Sequence, residues 1–250
     1  MKVLFTIRSL TGGGAERVVS VLSGLLADVG KDVHIITYKT TERDYPISEK
    51  VQVHEMPQRK DSTITKGMRI FDMRKIIKEI QPDVIIPFVG TVLYVSWFAI
   101  TGMKIPFVLT IRNNPWTMPE KRMSRNFRDY LAKKSCAIMI QNEEQSEYFS
   151  DDLRKKCFVV PNPISTKFID NYKECYSEKI SKIIAVGRLH EQKNYPLLLK
   201  AMADITKIKP DITLDILGEG NQKKYLESLL YEYGPVSYTH LRAHETLANL

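Results

Sequence analysis

The sequence predicts an α/β chain of two domains built on parallel sheets, the second of them incomplete. Three observations carry that expectation. Apolar runs of strand length alternate with helix-periodic stretches almost throughout. Several of the strand-length runs, such as residues 2–7 and 83–88, are apolar without alternation, as strands covered on both faces are. The alternation lapses in a polar linker over residues 165–179 and restarts at Ile180. The expected domains are therefore 1–165 and 166–234. Residues 235–250 match neither pattern and are read as a tail foreign to the fold.

The elements follow in order. A strand over 2–7 leads through a glycine-bearing loop into an apolar-periodic helix over 16–29, which Gly30 ends. Strands over 33–37 and 51–55 precede a helix over 65–80. Residues 84–103 contain no charged side chain, a length that matches a membrane span. Pro82, Pro87, Gly90 and Pro106 divide that stretch, so it reads as a strand over 83–88, a helix over 91–101 and a strand over 106–111. A basic helix over 119–133, a strand over 137–141, a short helix over 143–150 and a strand over 157–160 complete the first domain. The second opens with a strand over 180–186, a helix over 195–208, a strand over 213–217 and a helix over 222–233. Both halves have the strand–helix alternation of a Rossmann-like fold, in which ligands sit beyond the carboxyl ends of the strands.

The 250 residues carry a formal net charge of +8. Residues 1–165 hold 25 Lys and Arg against 18 Asp and Glu, and residues 166–250 hold 12 against 11, so the excess belongs to the first domain. It concentrates in residues 59–78 and 120–134. Aromatic residues are sparse in these stripes and no nucleic-acid motif accompanies them, so nucleic acid is not the expected partner. An anionic membrane surface or an anionic acceptor is favoured over nucleic acid, with a merely solvated face an equal alternative. Cys136, Cys157 and Cys175 are few, odd in number and without metal spacing, as reduced thiols of a cytoplasmic protein are. No signal-peptide pattern precedes the first strand.

The stretch that carries chemistry is Ala185-Val-Gly-Arg-Leu-His-Glu-Gln-Lys-Asn194. A buried strand breaks at Gly187, Arg188 follows in the loop, and Lys193 stands just before a helix. A planar guanidinium and a mobile ammonium beside a helix N-terminus suit a diphosphate. Two such cations alone would better fit a solvated turn; the glycine break between strand and helix brings a ligand level with that reading. Gly13 and Gly14 follow the first strand and open the first helix, where the backbone can approach a phosphate or sugar, although a flexible turn has the same composition. Glu16 follows, where a carboxylate also complements the helix dipole. Asn162, between Pro161 and Pro163, is placed either to contact a ligand or to stiffen a domain-boundary turn. Gly218-Glu219-Gly220 again lies between strand and helix, suited to a nucleotide or to an ordinary turn.

Taken together, Gly13-Gly-Ala-Glu16, Val160-Pro-Asn-Pro-Ile164, Val186-Gly-Arg-Leu-His-Glu-Gln-Lys-Asn194 and Leu217-Gly-Glu-Gly220 resemble the GT-B glycosyltransferases of family 4, from Met1 to about Gly234. The resemblance implies a retaining enzyme that moves a hexose or N-acetylhexosamine from a nucleotide sugar, UDP-linked, to a glycolipid or polysaccharide acceptor. It implies that Arg188 and Lys193 hold the donor diphosphate without a metal or other cofactor. Gly13, Gly14, Asn162, Gly187, Gly218, Glu219 and Gly220 would line the donor site, with Glu16, Arg112 and Asn113 on the acceptor side. Two departures stand out. The loop Thr110-Ile-Arg-Asn-Asn-Pro115 lacks the histidine that the family often carries there, and the family's paired glutamates would lie beyond Leu250. On that reading residues 1–250 alone are inactive, and His240 and His244 have no role. The alternative is a nucleotide-binding Rossmann module without catalysis. A cytoplasmic protein, peripheral on the inner face of the membrane, is expected.

Overall fold

The computed structural model describes residues 1–38, 45–58, 63–88, 90–164, 169–170, 172, 181–232 and 240–242. Most of the linker, the start of the first basic stripe with Arg59, Cys175, His244 and the rest of 243–250 lie outside the described residues. The chain divides into two units, Met1–Asn171 and Tyr172–Leu250.

In the first unit β1 (Lys2–Ile7) pairs in parallel with β2 (Asp32–Thr37) and β4 (Val84–Pro87), and β2 pairs with β3 (Val51–Glu55). A second parallel set runs β5 (Val108–Thr110), β6 (Ala137–Ile140), β7 (Cys157–Val159). One parallel bridge, Ile85 to Phe107, joins the two sets, giving the order β3-β2-β1-β4-β5-β6-β7. The pleat sends Leu4 into one core with Ile36, Ile85, Leu109 and Ile138, and Val3, Phe5 and Ile7 into the other with Val33, Ile35 and Phe88. Both faces are therefore buried, which is why the strands read as unbroken apolar runs. Each such side chain taken fully out of water contributes about 1.5–3 kcal/mol.

Helix α1 (Gly14–Asp28) lays Val18, Val19 and Ala27 on the second core. Helices α2 (Thr63–Ile80) and α3 (Thr91–Ile100) cover the first, through Met73, Ile77, Val92 and Ala99. Helix α4 (Arg122–Lys134) adds Leu131 and Ala132. A 3-10 turn (Glu143–Tyr148) and a single helical turn α5 (Asp151–Arg154) precede β7. Helix α1 starts two residues earlier than the sequence implies, with Gly13 as its N-cap, and Gly30 closes it at φ 76°. The basic helix starts three residues later, at Arg122, so that Pro119 lies in the preceding loop.

The second unit pairs β8 (Lys182–Val186), β9 (Thr213–Leu217) and β10 (His240–Arg242) in parallel, in the order β10-β9-β8. Helices α6 (Tyr195–Ile208) and α7 (Lys223–Glu232) bury Leu199, Met202, Leu226 and Leu229 against Leu214 and Ile216. The opposite side of β8 is open among the described residues, with Ile184 58 % exposed.

Candidate functional site

In the second unit the loop after β8 is held by backbone rather than by side chains. Gly187 N–H donates to the Leu217 carbonyl (3.0 Å), Leu189 N–H to the Glu219 carbonyl (2.8 Å), and Gln222 N–H to the Leu189 carbonyl (3.1 Å). The hydrogen-bond ladder of β8 and β9 thus continues past both strand ends. The close approach leaves no room for side chains. A Cβ on Gly218 would come within 2.9 Å of the Gly187 carbonyl carbon, and one on Gly220 within 2.7 Å of that of Leu189. These glycines serve the chain's own backbone. The buried Tyr195, first residue of α6, adds a hydroxyl bond to the Gly187 carbonyl (3.0 Å), and its burial pushes its phenol pKa up.

Out of this braced turn project Arg188 and Lys193, both exposed and neither with a side-chain hydrogen bond or ion pair among the described residues. The Lys193 stem folds back over Gly187, its Cε 3.5 Å from where a Cβ would sit, so the ammonium's chain crosses the base of the Arg188 loop. The helix contributes less than the sequence implies. Pro196 has no N–H, and the amides of Lys193, Asn194 and Leu197 are already bonded within the turn. What this turn offers an anion is therefore the two side chains rather than free helix amides.

In the first unit the predicted residues at the strand ends form one network. Arg112, after β5, reaches the Val160 carbonyl (3.3 Å) and the Asn162 side-chain oxygen, which also accepts from Gln141 (3.2 Å). Gln145 donates to the Asn113 carbonyl (3.2 Å), and its own carbonyl takes the Gln141 N–H (2.8 Å). Asn162 therefore positions Arg112, a role in neither of the two readings of the Pro-Asn-Pro turn. The Arg112 guanidinium lies 5.6 Å from the Phe88 ring centre, and burial pushes its pKa down to about 10, which leaves it cationic at neutral pH. Arg112 and Asn113 border a cavity of about 160 Å³ at the carboxyl ends of β4 and β5, closed by Gly90, Tyr94, Pro119 and Arg128. Gly14 is open to solvent, whereas the Glu16 carboxylate folds back over Gly13, the helix N-cap.

Sequence reasoning missed Arg128. Its guanidinium is buried, bonded to the Pro115 (2.9 Å) and Met118 (2.5 Å) carbonyls and to Asp129 (2.7 Å), and stacked 4.7 Å over Tyr148. Its spacing from Leu131 and Ala132 puts it on the buried face of α4, the signal that net charge concealed. The first basic stripe is likewise partly spent on packing. Arg69 lies over the buried Tyr38 ring, and Arg74 caps α3 through the Ala99 and Thr101 carbonyls. No helix among the described residues is long and apolar enough to cross a membrane, and among them no group of three His, Cys, Asp or Glu is placed to hold a metal ion.

Comparison with known proteins bears on the family and the fold. Residues 12–168 match the profile of Glycosyltransferase Family 4, and residues 173–242 that of Glycosyl transferases group 1, a match that includes β10. Two Campylobacter jejuni enzymes are similar over most of the chain. A GalNAc-alpha-(1->4)-GalNAc-alpha-(1->3)-diNAcBac-PP-undecaprenol alpha-1,4-N-acetyl-D-galactosaminyltransferase is 26% identical over 91% of this chain and 64% of its own length. An N-acetylgalactosamine-N,N'-diacetylbacillosaminyl-diphospho-undecaprenol 4-alpha-N-acetylgalactosaminyltransferase is 29% identical over 90% and 65%. The chain thus spans about 65% of the length of these relatives. Among solved structures, Anabaena HepE in complex with UDP and glucose superposes with a TM-score of 0.71 at 17% identity, over 96% of this chain and 68% of that one. Sucrose-phosphate synthase from Thermosynechococcus elongatus gives 0.78 at 14% identity, over 99% and 71%. The fold is of the GT-B type, and the chain belongs to glycosyltransferase family 4.

Proposed function

We propose that the protein carrying this chain transfers a hexose or N-acetylhexosamine from a UDP-linked sugar to a glycolipid or polysaccharide acceptor, with retention at the anomeric carbon. The observation that carries the reading is the braced loop with its two cations, Arg188 and Lys193, both exposed and without a side-chain partner among the described residues. When the bond from the anomeric carbon to the diphosphate oxygen breaks, that oxygen keeps the electron pair and the sugar becomes cationic. Preorganised donors at the leaving oxygen lower the barrier by about 3–4 kcal/mol each in well-placed cases. The acceptor hydroxyl then bonds to the same face of the sugar, and its proton passes to the departing phosphate. Such front-face chemistry needs neither an enzymic nucleophile nor a metal, because the two side chains neutralise the diphosphate.

The names of the Campylobacter jejuni relatives support a diphospho-undecaprenol acceptor, and the HepE complex supports UDP. Arg112 and Asn113, at the cavity of the first unit, take the acceptor side. Because the chain spans only about 65% of its relatives, residues 1–250 alone are expected to bind UDP more readily than they turn over.

The test is transfer by the full-length protein from UDP-GlcNAc, UDP-GalNAc and UDP-glucose to a diphospho-polyprenol glycan, with the product anomer read by NMR. R188A and K193A should each lower kcat by about 100-fold with an unchanged Tm. Wild-type kcat/KM in both variants would refute the assignment, and UDP binding without transfer from any donor would replace it with a non-catalytic nucleotide module.

A further inference from the structure

A surface of the first unit that no catalytic reading uses joins exposed aromatic rings to lysines. On α4, Met123, Phe127, Tyr130 and Lys134 recur at spacings of four, three and four, so they form one stripe along the helix. That stripe lies outside the buried face of Arg128, Leu131 and Ala132. From the neighbouring α3, Phe98 stacks on Phe127 (5.8 Å between ring centres, 14° between planes), and Phe127 stacks in turn on Tyr130 (6.1 Å, 16°). The outer side chains are exposed, Met123 at 85 %, Phe98 at 48 % and Tyr130 at 46 %, while Phe127 between them is half-buried. The Lys134 ammonium sits 5.7 Å from the Tyr130 ring centre. Lys134 also borders a groove of about 310 Å³ lined by Trp97, Ile105 and Phe107. Trp97 and Phe107 meet edge to face inside it (5.4 Å).

We infer that this α3–α4 face seats the protein on an anionic lipid bilayer. Charge complementarity selects the occupant. Lys104, Lys133 and Lys134 lie at or beside the groove and stripe, and no carboxylate is among the residues lining either. The nearby acid, Asp129, is already held by Arg128 and by the Tyr148 hydroxyl (2.8 Å). Aromatic rings flanked by lysines match the interfacial zone, where ring bodies enter the acyl boundary and ammonium groups stay with lipid phosphates. The stacked rings are preordered, so little side-chain entropy is lost on insertion. A nucleic acid would require basic residues spread along a groove with rings free to stack on bases, whereas here the rings stack on one another.

The inference deepens the acceptor reading but is tested without it, since vesicle binding needs neither donor nor transfer. The full-length protein is sedimented with phosphatidylcholine–phosphatidylglycerol vesicles and with phosphatidylcholine alone. Binding to the anionic vesicles, weakened by salt, is expected. K133Q/K134Q should lower the partition coefficient by about 25-fold, each lysine near an anionic surface being worth about fivefold. M123S/F98S/Y130S should lower it by at least about tenfold, and the charge-matched K200Q/K224Q in the second unit should leave it unchanged. In a W116F variant of residues 1–250 the sole tryptophan is Trp97, and brominated lipid should quench it. Far-UV circular dichroism certifies the fold of each variant. Wild-type partition in both surface variants overturns the inference. So does a dimer, or a nucleic-acid complex, that the same substitutions dissolve while vesicles go unbound. Loss of transfer with vesicle binding intact would count against the enzymatic reading alone.

Discussion

At the scale of single residues, two kinds of group share the loop after β8 and substitution separates them. Arg188 and Lys193 face solvent, whereas Gly218, Gly220 and Tyr195 hold the loop from beneath. G218A drives a methyl into the Gly187 backbone, which can give way only by displacing the loop. It should cost about 1–3 kcal/mol and lower UDP affinity together with Tm. Y195F removes one hydroxyl bond and should cost about 1 kcal/mol with a few-fold weaker binding. In R188A binding should fall while Tm stays, so calorimetry beside a melting curve distinguishes support from contact. The sequence placed the cations because a strand, a glycine and a helix fix their neighbourhood locally. It could not show what Gly218 and Gly220 accommodate, nor that Asn162 holds Arg112, fifty positions away. Those are contacts between segments remote in the chain, and no local pattern encodes them.

At the scale of elements, β1, β3, β9 and α6 have the bounds that apolar periodicity implies, and most other strands and helices shift by one to three residues. Buried runs flanked by glycine or proline leave few alternatives. The loop before α4 was harder to read, because two arginines of the helix reach back to its carbonyls: Arg125 to Pro119 (2.8 Å) and Glu120 (2.6 Å), Arg128 to Pro115 and Met118. A helix whose charges fold onto its own entrance loop looks, in sequence, like a solvated basic face. One strand pair carries a testable charge effect. The His34 and His54 rings, on β2 and β3, lie 2.9 Å apart between nitrogens, with Asp32, Lys2 and Glu79 as the charged neighbours. Burial is the largest influence on both and lowers both pKa values below 6.5; Lys2 lowers His34 and the His34 ring lowers His54 further, while Asp32 and Glu79 only partly offset this. The unfolded chain therefore binds more protons than the native one just below pH 6.5, and stability falls as pH drops through that range. The first unit's Tm should decrease from pH 7 to pH 5, and H34Q/H54Q should flatten the slope. An equal slope in that variant would place the acid sensitivity elsewhere.

At the scale of the whole molecule, the two units differ in how completely their sheets are covered. Among the described residues the first has seven strands between two cores, whereas the second has three strands with one core on one face and Ile184 left exposed opposite. Hydrophobic stabilisation scales with the apolar area removed from water, so the second unit of residues 1–250 should unfold first. The chain supplies its own reporters, because both tryptophans, Trp97 and Trp116, belong to the first unit. Tryptophan fluorescence should follow that unit alone, while far-UV circular dichroism follows both. The dichroism curve should then show two steps in urea, with the fluorescence change confined to the later one. UDP, if Arg188 and Lys193 hold it, should move the early step and leave the late step in place, since a ligand stabilises only the unit that binds it. Coincident single transitions by both probes would mean that the units fold as one cooperative body. UDP moving only the late step would put the nucleotide on the first unit and remove the diphosphate from the β8 loop.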